Sequence, residues 1–140
     1  MFQHILVPTD LTERSTGAIQ IAMDLHRQCA SPEQSKIFLL HVIQKVVEDE
    51  DEDFNDFYED LKARARERFE TIAVDTDIPL EKHILVGSRV EEIIRFARDN
   101  QVDLTVLSSH RIEPENPAEG WGTISHKVGI LAPCPVMLVK

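Results

Sequence analysis

Cysteine is scarce in this sequence of 140 residues, and the two present, Cys29 and Cys134, lie in apolar settings without the close spacing of a zinc or redox motif. Both read as small buried hydrophobes in a reducing cytoplasm. Positive charge is short as well: 15 Lys and Arg stand against 25 Asp and Glu, a formal net charge of −10. That balance argues against binding DNA or RNA, whose phosphates are held by clustered lysine and arginine. The one basic run, 62-KARAR-66, alternates with Glu59, Asp60, Glu67 and Glu70 and reads as a solvated helix face. No apolar run approaches the length of a membrane span. The opening MFQHILVPTD has no basic leader and too short an apolar stretch for a signal peptide, so a cytoplasmic chain without membrane contact is expected. None of the six histidines forms HExxH or another close ligand pair, which argues against a metal centre.

What is present is alternation. Five short apolar runs, 4-HILVP-8, 37-IFLLHVI-43, 83-HILV-86, 103-DLTVLSS-109 and 135-PVMLVK-140, are continuous rather than alternating, the pattern of parallel strands covered on both faces. Helical periodicity separates them. The first helix is expected after Thr12 through Cys29, with Ala18, Ala22 and Leu25 inward. The second is expected from about Asp53 to Val74, with Phe54, Phe57, Leu61, Phe69 and Ile72 inward. The acid run 48-EDEDEDF-54 leads into it and places negative charge where the helix dipole favours it. Ser88 and Glu91 have the spacing of a capping box ahead of a third helix with Val90, Ile93, Ile94 and Ala97 on its stripe. The fourth runs from near Gly122, turns Ile124, Val128 and Leu131 inward, and stops at Pro133. One domain over residues 1–140 follows, an α/β fold built on a single doubly wound, five-stranded parallel sheet with helices on both faces.

In such a sheet ligands bind beyond the carboxyl ends of the strands, where strand order reverses. That selects Pro8, Thr9 and Asp10 after the first strand, His41 and Val42 after the second, and Gly87 after the third. Ser108, Ser109, His110 and Arg111 follow the fourth, with Gly122 and Thr123 at the next helix start. Asp10, Ser108, Ser109 and His110 can be written as a nucleophile, base and orienter. There is no G-x-S-x-G elbow, however, and adjacent Ser109 and His110 do not place the imidazole on the neighbouring hydroxyl, so a hydrolase is not the preferred reading.

The stretches 5-ILVPTD-10, 40-LHVI-43, 86-VGSRVEEIIRFARDNQVDLTVLSSH-110 and 124-ISHKVGILAPCPVMLV-139 together resemble the universal stress protein family, in order and over nearly the whole chain. The resemblance implies strand order 3-2-1-4-5, a fold like that of the adenine-nucleotide α-hydrolases, and a homodimer joined antiparallel through the strand at 135–139. It also implies a nucleotide site of Pro8, Thr9, Asp10, Val42, Ser108, Ser109, Arg111, Gly122, Thr123 and Ile124. Asp10 would meet the adenine or ribose side and Val42 would give the base a backbone contact. Beside these stand two plainer readings, Asp10 as a turn acid capping the first helix and Val42 as core packing.

Members of that family that bind ATP carry Gly-x2-Gly-x9-Gly-Ser/Thr after the fourth strand. Here Ser108 and Arg111 take the first two glycine positions, the loop 112–121 is one residue longer, and Gly122-Thr123 alone is kept. Glu113, Glu115 and Glu119 add charge that repels a triphosphate, while Pro114 and Pro117 remove amide donors. A small anion at Gly122 and Thr123, helped by Arg111, is compatible with the loop. Two readings follow. The first is a non-enzymatic, dimeric stress-response module with a modified, weak nucleotide cleft and no fixed cofactor. The alternative is a switch or slow hydrolase that binds ATP with magnesium.

Overall fold

The computed structural model describes residues 2–28, 34–45, 52–72, 78–109 and 124–140. The elements are β1 (His4–Pro8), a 3-10 turn (Glu13–Ser15), α1 (Thr16–Arg27), β2 (Lys36–Gln44), α2 (Glu52–Ile72), β3 (Leu80–Gly87), α3 (Arg89–Asp99), β4 (Leu104–Ser108), α4 (Ile124–Leu131) and β5 (Val136–Val139). All strand pairs are parallel, in the order β3-β2-β1-β4-β5. The order reverses at β1, between β2 and β4, which opens a crevice above their carboxyl ends.

Strand alternation divides the core in two. Ile5 and Val7 of β1 join Ile37 and Leu39 of β2 beneath Ala18, Ile19, Ala22 and Met23 of α1 and Phe69 of α2. Leu6, Phe38, Leu40 and Val42 point the other way, against Ile93, Phe96 and Ala97 of α3 and Val128 of α4. Burial on both faces is why the strands read as unbroken apolar runs. The register of β1 is fixed from far along the chain: the Asp103 carboxylate accepts from the amides of Gln3 (2.9 Å) and His4 (3.1 Å).

Several local expectations shift. β3 begins three residues earlier than its apolar run because Leu80, Glu81 and Lys82 belong to a sheet edge, where charge is compatible with strand pairing. Thr12 caps the 3-10 turn, and α1 itself opens at Thr16; Cys29 and Val74 lie outside the described residues. On α2 the inward stripe is Tyr58, Ala65 and Phe69, while Phe57 is exposed and stands edge-on to the Tyr58 ring. Leu131 is also exposed, since the short α4 buries its apolar side through Val128. The capping box at Ser88 is not made. Ser88 has the extended backbone of an N-cap, but its side chain forms no capping bond; separately, the Arg89 amide at the first helical position donates to Gln44 Oε1 at 3.2 Å. At the far end of α3, Gln101 is left-handed (φ 63° is found at Leu11, 53° here), and the amides of Val102 and Gln101 return to the carbonyls of Ala97 and Arg98, closing a Schellman motif. No described helix is long and apolar enough to cross a membrane.

Candidate functional site

β1 ends at Pro8, and the Thr9 amide makes the last bond to β2, donating to the Leu40 carbonyl at 2.8 Å. The chain then turns sharply. Thr9 Oγ1 accepts from the Leu11 amide at 3.0 Å, and Leu11 is held in the left-handed region, a conformation that disfavours a bulky side chain. Asp10 organises the turn: its Oδ1 accepts from the Thr12 amide (2.9 Å), the Thr12 hydroxyl (2.6 Å) and the Ser15 hydroxyl (2.8 Å). Partial burial opposes the charge and is the largest single influence, yet the bonds from Thr12 and Ser15 together outweigh it and hold the carboxyl below its ordinary value. Asp10 is thus a turn acid through one oxygen.

His41, near the end of β2, donates from Nδ1 to the Thr9 carbonyl at 2.9 Å. A carbonyl only accepts, so the ring carries its proton on Nδ1 and leaves Nε2 as an acceptor when neutral. Burial, with the charges of Arg89 and Arg68 acting the same way, lowers its pKa against the opposing pull of the Thr9 carbonyl and Asp10. Val42 is buried by its side chain, as plain packing requires. Its peptide is another matter. Leu40 turns its carbonyl toward β1 and Lys45 its amide toward β3, so alternation turns the N–H and C=O of Val42 toward the β1 side, beyond the end of that strand.

These groups surround a cleft of about 440 Å³, lined on one side by Asp10, Ser15 and Ser108 and on the other by Leu40, Val42, Arg89 and Ile93, with Ile124 and Ser125 at the start of α4. The volume falls within the roughly 300–1,000 Å³ typical of small-molecule sites. Of the expected residues, Pro8, Thr9, Asp10, Val42, Ser108 and Ile124 share this cleft. Ser108 occupies a glycine position of the nucleotide motif, and its hydroxyl donates to the Arg14 carbonyl at 2.8 Å, tying the end of β4 to the 3-10 turn. Ser109 donates its amide to the Val139 carbonyl and sets its hydroxyl 3.3 Å from that of Ser125. His110, Arg111, Trp121, Gly122 and Thr123 lie outside the described residues. Of the residues that can be written as nucleophile, base and orienter, Ser108 gives its proton to a carbonyl and the bonded oxygen of Asp10 faces its own turn. Among the described residues no three His, Cys, Asp or Glu side chains are grouped to hold a metal.

Arg89 and Ser125 were missed by reading only the residues just past each strand. Arg89 stands two positions after β3, first in α3, and extending the strand-end rule by those two residues finds it.

A sequence model of the universal stress protein family matches residues 1–140. The chain belongs to the universal stress protein family. Universal stress protein YxiE of Bacillus subtilis (strain 168) is 25% identical over 153 aligned positions, with all of both chains covered. Among solved structures, hypothetical protein MJ0577 has TM-score 0.79 and 28% identity, covering 100% of this chain and 96% of that one. The universal stress protein from Archaeoglobus fulgidus in complex with dAMP has TM-score 0.61 and 19% identity over 99% of this chain and 98% of that one, a likeness that shows the shared fold. This universal stress protein therefore has the sheet order that the family resemblance implies.

Proposed function

We propose that this universal stress protein is a cytoplasmic, non-enzymatic module, one domain over residues 1–140, whose cleft binds a nucleoside monophosphate and whose β5 edge joins two copies. The observation that carries the binding role is the convergence on one cleft at the switch point of the Asp10 carboxylate, held ionised, and the Val42 peptide, which lies beyond the end of β1. A carboxylate kept ionised accepts from ribose hydroxyls, and a strand peptide with both groups free pairs with a base edge. The same fold holds dAMP in the Archaeoglobus fulgidus protein. The β- and γ-phosphates of ATP gain little, because Ser108 and Arg111 replace two glycines and the loop 112–121 carries three glutamates. At the other pole, Met137 and Leu138 of β5 leave apolar surface exposed on a strand edge, whereas the β3 edge carries Glu81 and Lys82. The apolar edge is the one suited to a second copy, in antiparallel symmetry.

Calorimetric titration with AMP and with magnesium-ATP tests the reading. AMP is expected to bind, Asp10→Ala to weaken it, and magnesium-ATP to bind within about threefold of AMP. Magnesium-ATP binding more than about tenfold tighter, roughly 1.4 kcal/mol, would favour the ATP switch instead.

A further inference from the structure

We infer that the last turn of α4 is a second part of the dimer interface: Gly129, Ile130 and Leu131 of one copy pack against the same turn of the other, over the junction of the two β5 strands. The inference rests on the β5 dimer proposed above. Five large hydrophobic side chains are exposed among the described residues, and four of them are Ile130 (67%), Leu131 (58%), Met137 and Leu138. Alternation separates the last two. Val136 packs with the α3 and α4 cluster and Val139 with the α1 cluster, so Leu138 shares the sheet face of α4 and Met137 the face of α1. Charge sets the same region apart. All 25 Asp and Glu lie before residue 120, which makes 120–140 the longest stretch of the sequence without an acid, and Lys127 and Lys140 are its only Lys or Arg. On a chain of net charge −10 a second copy meets this stretch without acid facing acid.

Symmetry decides what the exposed turn meets. Two β5 strands paired antiparallel in one continuous sheet are related by a two-fold axis perpendicular to that sheet, so both α4 helices lie on the same face, one on each side of the axis. α4 connects the neighbouring strands β4 and β5, and a crossover helix lies over the pair it joins. With strands about 4.8 Å apart, the two helices stand about two strand spacings from each other, roughly 10 Å, at the upper end of the distances at which helices pack. Gly129 fits that approach. A Cβ there would meet nothing within 4 Å among the described residues, so packing inside the chain does not call for a glycine, although glycine weakens a helix relative to alanine. A partner helix at close range accounts for it. The short strand makes the same demand: β5 has four residues, about 13 Å of chain, and its pairing alone falls short of the roughly 800 Å² per partner of a stable interface.

Sedimentation equilibrium on the full chain tests this with wild type, the double variant Ile130→Gln with Leu131→Gln, and Gly129→Ala. Glutamine leaves the net charge unchanged, so a weakened dimer is not the result of general repulsion. The double variant is expected to raise the dimer dissociation constant at least about a hundredfold, since four apolar side chains per dimer lose their cover. Gly129→Ala is expected to weaken the dimer about tenfold by holding the helices apart. Diluted to monomer, the same variant should unfold at a higher temperature than wild type, because alanine favours the helix. Gly129→Ala decides alone if the double variant fails to fold. A wild-type dimer that the glutamines move less than about twofold, or that Gly129→Ala leaves unchanged or tightens, overturns the inference and leaves the β5 dimer standing. Wild-type protein with the mass of one chain at every concentration removes both.

Discussion

Removing the Asp10 carboxylate should loosen the turn that shapes the cleft, and the size of the effect follows from its bonds. Oδ1 accepts three hydrogen bonds, from the Thr12 amide, the Thr12 hydroxyl and the Ser15 hydroxyl. A hydrogen bond to a charged group contributes about 1.5–3 kcal/mol, but three on one oxygen share a single charge and do not add in full. Ser15 is almost fully buried, so Asp10→Ala leaves its hydroxyl short of a partner away from water. Together these give an expected loss of ~2–3 kcal/mol for Asp10→Ala and ~1 kcal/mol for Asp10→Asn, which keeps an acceptor in place without the charge. Urea unfolding at pH 7 measures both, with unchanged slope showing that only stability has moved. A double-mutant cycle with Ser15→Ala should return a coupling near 1 kcal/mol. The sign of the pH dependence is set by the lowered pKa of Asp10. As pH falls, the unfolded carboxyl, near 3.9, takes up its proton first. The stabilisation is therefore complete above that value and is lost as pH falls through the folded one, so the gap between wild type and Asp10→Asn should close below about pH 4. An Asp10→Ala variant within about 0.5 kcal/mol of wild type at pH 7 would refute this account of the turn.

Three further outcomes can be checked. On β5 the carbonyls of Pro135 and Val139 receive amides from β4, which turns residue 137 inward and the amides of Val136 and Leu138 outward. Leu138→Pro should therefore convert a dimer to monomers by light scattering with the circular dichroism spectrum unchanged, while Met137→Pro breaks the inner ladder; a wild-type mass of one chain at all concentrations removes the dimer. His41 has a lowered pKa, so its neutral form is favoured in the fold, stability is complete above its unfolded value near 6.5, and it declines as pH falls through the folded value. His41→Gln should flatten stability as pH falls below about 6.5, and a His41 ring titrating above 6.5 by NMR would contradict the burial argument. A Cβ on Gly87 would stand 2.8 Å from Glu92 Cγ, so Gly87→Ala should destabilise wild type by about 1 kcal/mol and be neutral or stabilising in Glu92→Ala, which thermal unfolding resolves.

The strands were legible because burial on both faces leaves unbroken apolar runs, and Ile5, Leu6 and Val7 show it in three consecutive buried residues. The order of strands was not in the periodicity, which is blind to which helix crosses which face; it came with the family resemblance. Ser88 illustrates a limit of local reading. Its sequence spacing to Glu91 fits a capping box, but the Ser88 side chain makes no capping bond, and the first turn of α3 is tied by its Arg89 amide to Gln44, distant in the chain. Pro8, Thr9 and Asp10 were found because β1 is central and its end faces the crevice. Asp10 was left with two readings, and both its oxygens were needed to see that one serves the turn. Arg89 escaped because the strand-end rule was applied only to the residues directly after each strand, and it stands two positions past β3, first in the helix that borders the cleft.

The clamp between Asp103 and the amides of Gln3 and His4 joins residues about a hundred positions apart and sets an order of events during synthesis. β1 can pair with β2 as soon as the first βαβ unit has emerged, yet its other edge has no partner until β4 is made. At about 5–20 residues per second, the central strand of the sheet spends on the order of 5–20 s with one side open. For that interval a strand whose last four residues are buried in the finished fold is a nascent edge, a substrate for chaperones and a seed for mispairing with neighbouring chains on the same message. Asp103 arrives with the strand that ends the exposure, so a substitution there should show its effect first in the yield of folded protein at high expression, ahead of any change in the finished fold.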